Sequence, residues 1–225
     1  LYGRMLARVR AAGGKPAGFL WYQGEADANA ASASTYGARF EQFIAAVRRD
    51  LEAPDLPIGF VQLARYATTD GSAAAAWNAV QEAQLRIPER VAHTSVVAAI
   101  DLPLDDPIHV SADGERRVGL RLAKAMAGIA GPRPVSAQFV NGRRDAIRVS
   151  FSGVNGKLNA GGRVPGFTLV TREGAVLDKI FDAAVDPAKP STVVLRLSEN
   201  APNGAQVQYG RGLDPTCNLV DDQDL

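Results

Sequence analysis

Through residue 131, segments with a helical spacing of apolar residues alternate with short, continuous apolar runs. The clearest helical stripe consists of Phe40, Phe43, Ile44, Val47 and Leu51. The continuous runs are typical of strands that are buried on both faces of a parallel sheet. The pattern predicts helices over 1–12, 35–51, 73–86 and 111–126, and strands over 16–23, 58–63 and 94–100. This alternation indicates an α/β domain with a parallel sheet over residues 1–131.

The pattern changes after Gly131-Pro132. From residue 135 on, apolar positions alternate in short segments such as 146–151, 167–170 and 193–197. Asn-Gly or Gly-Gly pairs occur between apolar runs at 141–142, 161–162 and 203–204. Because Asn-Gly favours hairpin turns, residues 135–225 are predicted to form a small antiparallel β-domain, either a β-sandwich or a jelly-roll-like fold.

Composition narrows the functional classes. The 225 residues are 46% hydrophobic, and a formal net charge of +1 gives no overall attraction to nucleic acid or to an anionic membrane. No apolar run reaches the ~18 residues that suggest a membrane span. Cys217 is the only cysteine, and His93 and His109 lack the carboxylate spacing of zinc enzymes, so no metal is expected. The sequence starts with Leu1 instead of an initiator Met, and its first residues do not have the pattern of a signal peptide. We therefore expect it to begin inside a longer protein.

The first candidate for chemistry is the segment Asp106-Pro107-Ile108-His109, between a predicted strand and the last predicted helix. An Asp three residues before a His can curl back to its Nδ1 and fix the tautomer, so that Nε2 can accept a proton from a nucleophile. Asp106 and His109 are therefore the candidate acid and base of a hydrolase triad. Asp105 competes with Asp106 for the role of the acid.

The second candidate is the segment 21–27, Trp-Tyr-Gln-Gly-Glu-Ala-Asp, at the carboxyl end of the first predicted strand. Open α/β sheets bind ligands at that end of their strands. Gln23 at this strand end can satisfy backbone groups of the following loop. Glu25 either orients Gln23 or the loop, or forms a hydrogen bond to a group on the histidine side of the site. Asp27 is interpreted as a surface or turn residue, and Trp21 and Tyr22 as core residues.

Together these segments resemble the SGNH-type esterases, and among them the carbohydrate acetylesterases and sialate O-acetylesterases, whose signatures include a W-Y-Q-G-E strand end and a late D-x-x-H. The resemblance covers nearly the whole chain and includes a W-x-x-x-Q-x-x-Q helix at Trp77, Gln81 and Gln84 and the tail segment 207–220. It implies an SGNH-hydrolase-like three-layer α/β fold that is incomplete at the amino end, and a carbohydrate O-acetylesterase activity that needs no cofactor. The family spacing D-x-x-H selects Asp106 over Asp105.

The resemblance also implies the roles of single residues. Gln23 would help to form the oxyanion hole, Gly24 would leave room for the substrate, and Glu25 belongs to the same site. In that family the nucleophilic serine lies on the first strand, upstream of any residue in this sequence. Ser72 is preceded by Asp-Gly in the wrong order, and Ser111 is better suited to cap the last helix. We therefore expect a separate amino-terminal segment to supply the serine.

The partner that the resemblance implies is an O-acetylated carbohydrate, in an extracellular or periplasmic location. A catalytically inactive carbohydrate-binding or scaffold protein of the same fold is the alternative. A peptidase or lipase activity on the same triad is a third hypothesis. Arg65 either points to the site or lies on the surface. Neither nucleic acid nor a membrane is expected as a partner.

Overall fold

Both candidate segments belong to one part of the chain. In the computed structural model, which describes residues 1–225, the chain divides into two compact units. The first unit contains residues 1–64 and 68–129, and the second contains residues 65–67 and 130–225. The segments around Gln23 and His109 lie in the first unit. None of the helices is both long and apolar enough to cross a membrane.

The first unit is built on three parallel strands in the order β1-β2-β3. The strands are β1 (Phe19–Trp21), β2 (Ile58–Gln62) and β3 (Thr94–Ala98). The helices are α1 (Tyr2–Ala11), α2 (Tyr36–Asp50), α3 (Ala74–Arg86) and α4 (Ala112–Met126). All the predicted elements occur, but β1 contains only the three residues that pair with β2, so the apolar run from 16 to 23 overestimated its length.

Helices cover both faces of this sheet, because β2 is apolar on both sides. Phe60 points to α2, where its ring meets that of Phe40 edge-on at 5.1 Å. The next residue, Val61, packs on the opposite face with Val118 and Leu122 of α4. Phe60 and Val61 are fully buried, and burial of such a side chain contributes ~1.5–3 kcal/mol. The result is a three-layer arrangement of helices, parallel sheet and helix.

The second unit contains three antiparallel sheets. Their orders are β4-β5-β10-β9, β11-β7-β8 and β12-β6. The strands are β4 (Arg133–Val140), β5 (Arg143–Ser152), β6 (Leu158–Asn159), β7 (Phe167–Val170), β8 (Val176–Leu177), β9 (Ile180–Asp186), β10 (Lys189–Leu197), β11 (Gln206–Tyr209) and β12 (Val220–Asp221). Val193 and Leu195 of β10 are fully buried at the centre of their core. The fold class, an α/β parallel sheet with separate antiparallel sheets, is confirmed.

The three predicted turns behave differently. Asn141 and Gly142 both have positive φ, as a two-residue hairpin turn requires, and they join the paired strands β4 and β5. The pairs at 161–162 and 203–204 instead connect strands of different sheets. A Gly-rich turn thus marks a change of direction, but it does not reveal which strands pair. The sandwich or jelly-roll description of residues 135–225 stays a prediction.

Candidate active site

The segment that carries His109 is a short loop between β3 and α4. It is closed at its base by an antiparallel bridge between Leu104 and Val110, and by a bond from the Ser111 N–H to the Pro103 oxygen at 2.9 Å. The Ser111 hydroxyl caps α4 by accepting the Gly114 N–H at 3.2 Å. Leu102 and Val110 are buried, whereas residues 105–107 and His109 are exposed. The ends of the loop are therefore fixed in the core while its tip faces solvent.

Within this loop Asp106 and His109 form the predicted pair. His109 Nδ1 lies 2.7 Å from Asp106 Oδ2, and Asp106 Oδ1 accepts the backbone N–H groups of Ile108 and His109 at 2.8 Å each. A carboxylate facing Nδ1 places the proton on that nitrogen in the neutral ring and leaves Nε2 as the acceptor. The His109 side chain is 78% exposed. Its Nε2 is thus available to a group outside the loop.

Asp106 and His109 shift each other's pKa. The Ile108 N–H, the His109 ring and the His109 N–H lower the pKa of Asp106 to about 2. In return, the hydrogen bond and the charge of Asp106 raise the pKa of His109 above its ordinary value, and the Glu25 carboxylate raises it further. Glu25 of the strand-end segment thus acts electrostatically on the histidine of the loop.

The other histidine provides a comparison. His93 also lies near a carboxylate, but it is Nε2 that faces Asp55 Oδ1, at 3.3 Å, and the Asp55 side chain is 82% exposed. A base needs Nε2 free and Nδ1 held by the acid. Only His109 has this arrangement, so the two histidines of the chain are not equivalent.

The second candidate segment is held from behind by buried polar side chains. The Gln23 carbonyl oxygen accepts from the Tyr36 hydroxyl at 2.9 Å and from Gln84 Nε2 at 3.1 Å. Gln84 is fully buried, and its Oε1 accepts the Leu63 N–H at 2.9 Å. One glutamine of α3 therefore ties the carboxyl ends of β1 and β2 together.

Gly24 is required by this close packing. A Cβ at residue 24 would lie 3.0 Å from Gln84 Nε2, 3.1 Å from Val80 and 3.2 Å from Leu63. Such contacts are tighter than those of most real Cβ atoms, so a side chain here would push its neighbours aside. Gly24 therefore lets the strand end pass directly over α3, where the Gln23 carbonyl is held.

The side chain of Gln23 points away from this anchor. Its Nε2 donates to Asp27 Oδ2 at 2.8 Å, and Asp27 closes a 3₁₀ turn, Glu25–Asp27, with its N–H on the Gly24 oxygen at 3.0 Å. Gln23 and Asp27 are both half-buried. No group of three or more His, Cys, Asp or Glu side chains is arranged to hold a metal ion.

Comparison with known proteins identifies the family. A family model described as a carbohydrate esterase, sialic acid-specific acetylesterase, matches residues 1–128, more than half of the chain. The chain belongs to this family. The match covers both the Gln23 segment and the Asp106–His109 loop, so the predicted resemblance is confirmed.

One sequence relative and one solved structure are similar to this acetylesterase-family chain. A probable carbohydrate esterase of Arabidopsis thaliana is 35% identical over 130 residues, which are 56% of this chain and 46% of the relative. The crystal structure of a carbohydrate acetylesterase from Xanthomonas citri superposes with a TM-score of 0.76 at 23% identity, over 94% of this chain and 49% of the other. At that identity the likeness supports the fold. The chain spans about half the length of both relatives.

Several residues of this acetylesterase-family chain have contacts that the sequence did not predict. Asp101, at the end of β3, forms a two-pronged ion pair with Arg121 of α4, with both nitrogen–oxygen distances at 2.7 Å. The Asp101 and Arg121 side chains are only 7% and 2% exposed. Arg121 also donates to the Ala98 oxygen at 2.7 Å. This buried pair fixes the start of the histidine loop to the helix that follows it.

Other predicted residues have structural roles. Trp21 packs among aromatic rings, 4.8 Å from that of Phe43, as expected of a core residue. Gln81 and Trp77 donate to the Ala64 oxygen, two residues after β2, as a supporting helix requires. Arg65 pairs with Asp214 at 2.5 Å within the second unit.

Proposed function

We propose that this chain carries the acid–base and oxyanion parts of a carbohydrate O-acetylesterase site. The observation that carries the proposal is the His109–Asp106 pair, held at Nδ1 and open at Nε2, in electrostatic reach of the strand end at Gln23–Glu25. An exposed, oriented imidazole and an oxyanion donor are two of the groups that acyl transfer needs. An O-acetylated sugar is the proposed substrate, in line with the family to which the chain belongs.

In the proposed reaction a serine hydroxyl attacks the acetyl carbonyl while His109 Nε2 takes its proton. Asp106 holds the ring and stabilises the imidazolium that forms. The charge that develops on the acetyl oxygen is met by the second N–H of the Gln23 amide, since the first is donated to Asp27. One such donor contributes roughly 3–4 kcal/mol in the transition state. The intermediate then collapses: the bond between the acetyl carbon and the sugar oxygen breaks, and that oxygen takes the proton from His109, which leaves the acyl-serine. Water attacks the acyl-serine with His109 as the base, the serine oxygen regains its proton, and acetate is released.

The serine is proposed to come from outside this sequence. Ser111 caps α4 and Ser72 donates its backbone N–H to Asp70 in a 3₁₀ turn, and neither hydroxyl is bonded to His109 Nε2. A further observation supports the idea of a supplied segment. Strand β1 pairs with β2 along one edge only, and its Leu20 is 58% exposed. A parallel strand added at this edge would end beside Gln23, where chemistry in such sheets takes place.

The experiment compares the chain alone with the chain to which an upstream segment has been restored. Both are assayed with p-nitrophenyl acetate and an acetylated sugar. Activity in the restored sample alone supports the proposal, and activity of the isolated chain contradicts the external serine. No activity in either sample would favour the inactive carbohydrate-binding protein. A preference for long acyl chains or amides would favour a lipase or peptidase.

The histidine variants test the mechanism. His109→Ala in the active sample should lower kcat about 10³-fold or more, with little change in Tm because the side chain is exposed. His93→Ala is the matched control, since His93 is the other histidine with a neighbouring carboxylate, and it should keep full activity. Equal losses of activity in the two variants, or a parallel loss of Tm in His109→Ala, would contradict the assignment.

A further inference from the structure

Asp27 is the one carboxylate that touches a candidate oxyanion donor. Its Oδ2 accepts Gln23 Nε2 at 2.8 Å, and its backbone is fixed by the turn that its own N–H closes on Gly24. The Asn29 N–H donates to the Asp27 carbonyl oxygen at 2.8 Å, which holds the other side of the residue. Asp27 is therefore a rigid acceptor for the Gln23 amide.

This contact determines which way the amide faces. A glutamine amide carries an oxygen and an NH₂ group on opposite arms, and the two can exchange places by rotation about the last side-chain bond. An ionised carboxylate repels the oxygen and accepts only the NH₂ group. Tyr36 and Gln84 already hold the backbone carbonyl of Gln23. The contact with Asp27 therefore fixes the remaining rotational freedom of the Gln23 side chain. The second N–H then has one defined direction.

We propose that Asp27 is a positioning residue that holds the Gln23 amide so that its second N–H meets the acetyl oxygen. This inference rests on the proposed function and adds to it a residue that does not touch the substrate. Glu25 is not the acceptor of Gln23, although it is closer in sequence, and its charge acts on His109. The two carboxylates of the Gln-Gly-Glu-Ala-Asp segment therefore have separate roles.

The test uses the enzyme with its upstream segment restored and four variants: Asp27→Ala, Asp27→Asn, Gln23→Ala and the double variant Asp27→Ala/Gln23→Ala. Removing an oxyanion donor lowers kcat by about 10²–10³-fold, so Gln23→Ala should fall in that range. Asp27→Ala leaves the amide in place but free to turn, and we expect a loss of about 10–100-fold in kcat with KM nearly unchanged. Asp27→Asn keeps an acceptor oxygen and should recover most of that loss.

The double variant separates positioning from a general structural role. If Asp27 acts through Gln23, then Asp27→Ala should cause less than about a threefold further loss once Gln23 is absent. Asp55→Ala removes an exposed carboxylate elsewhere in the same unit and should leave kcat unchanged. A readout independent of activity is the Gln23 side-chain NH₂ signal in NMR, which should show one hydrogen-bonded proton in the wild type and none in Asp27→Ala.

The outcomes distinguish this inference from the function on which it rests. An inactive wild type, or a His109→Ala variant with full activity, would overturn the proposed function and the inference together. An active wild type with an inactive His109→Ala variant but a normal Asp27→Ala variant would overturn the inference alone. Multiplying losses in the double variant, or a kcat loss explained by a fall in Tm, would also overturn it.

Discussion

The buried ion pair behind the histidine loop makes a quantitative prediction about stability. Replacing Arg121 by Met removes both bonds to Asp101 and the bond to the Ala98 oxygen, and leaves the Asp101 carboxylate at 7% exposure. Removing one partner of a buried pair costs ~3–5 kcal/mol, because the other charge stays buried. Arg117 still reaches Asp101 at 3.0 Å, so the expected loss in the free energy of unfolding is at the lower end, ~3 kcal/mol.

The assay can be confined to the unit that contains the pair. Both tryptophans, Trp21 and Trp77, lie in the first unit with Arg121, so urea unfolding followed by tryptophan fluorescence reports on that unit. Arg116→Met is the matched control, because Arg116 lies on the same helix but is 73% exposed and pairs with an exposed Asp113. Its effect should stay below ~0.5 kcal/mol, the usual range for surface substitutions.

The reasoning is refuted if Arg121→Met loses no more stability than Arg116→Met. A double variant, Asp101→Leu/Arg121→Met, provides a second criterion. With both charges removed no buried ion is left without its partner, so the double variant should be more stable than Arg121→Met alone. A double variant that is less stable by the sum of two separate losses would show that the charges do not act as a pair.

Two further predictions concern the sample that the proposed serine-bearing segment would make active. Asp106 raises the pKa of His109, and a base must be neutral, so Asp106→Asn should move the acidic limb of the kcat/KM profile to lower pH while lowering its plateau. Glu25→Gln should shift the limb in the same direction by less, and an unmoved limb in both would contradict the assigned causes. Gly24→Ala should lower Tm and activity because its Cβ meets three side chains at 3.0–3.2 Å, whereas Gly71→Ala, with nothing within 4 Å, should change neither.

Local features of the site could be predicted from the sequence. Asp106 and His109 are three residues apart, so their contact depends on one short loop whose ends are set by a strand and a capped helix. The apolar stripe of α2 likewise predicts a helix over 35–51, and the observed helix is Tyr36–Asp50, because an amphipathic helix turns such a stripe to the core. Such features need little knowledge of the rest of the fold.

Long-range contacts could not be predicted in the same way. The sequence does not distinguish Arg116, Arg117 and Arg121 from one another. Only the fold shows that Arg121 contacts Asp101, which lies twenty residues earlier in the sequence. The sequence did, however, contain a sign that Arg121 has a buried partner. Arg121 lies on the apolar stripe formed by Val118, Leu122 and Ala125, where a charged side chain requires a buried partner.

Asp27 shows a different limit. Asp27 is only four residues from Gln23 in the sequence, but their contact depends on a 3₁₀ turn, and apolar periodicity does not predict such a turn. The sequence alone therefore predicts a surface or turn residue, which describes the backbone of Asp27 and misses the contact of its side chain. Polar turns at strand ends carry side-chain information that periodicity does not contain.

The candidate site divides into exposed groups that would do chemistry and buried groups that hold them. His109 is 78% exposed, while the Arg121 side chain behind its loop is 2% exposed, and Gln84 behind the half-buried Gln23 is fully buried. Substitution of an exposed group removes few packing contacts, so it should change activity at constant stability. Substitution of a buried support leaves a polar partner unpaired at a cost of ~1–3 kcal/mol, so it should lower both. Stability and activity measured together on His109 and Gln84 variants would therefore separate the chemical groups from their supports.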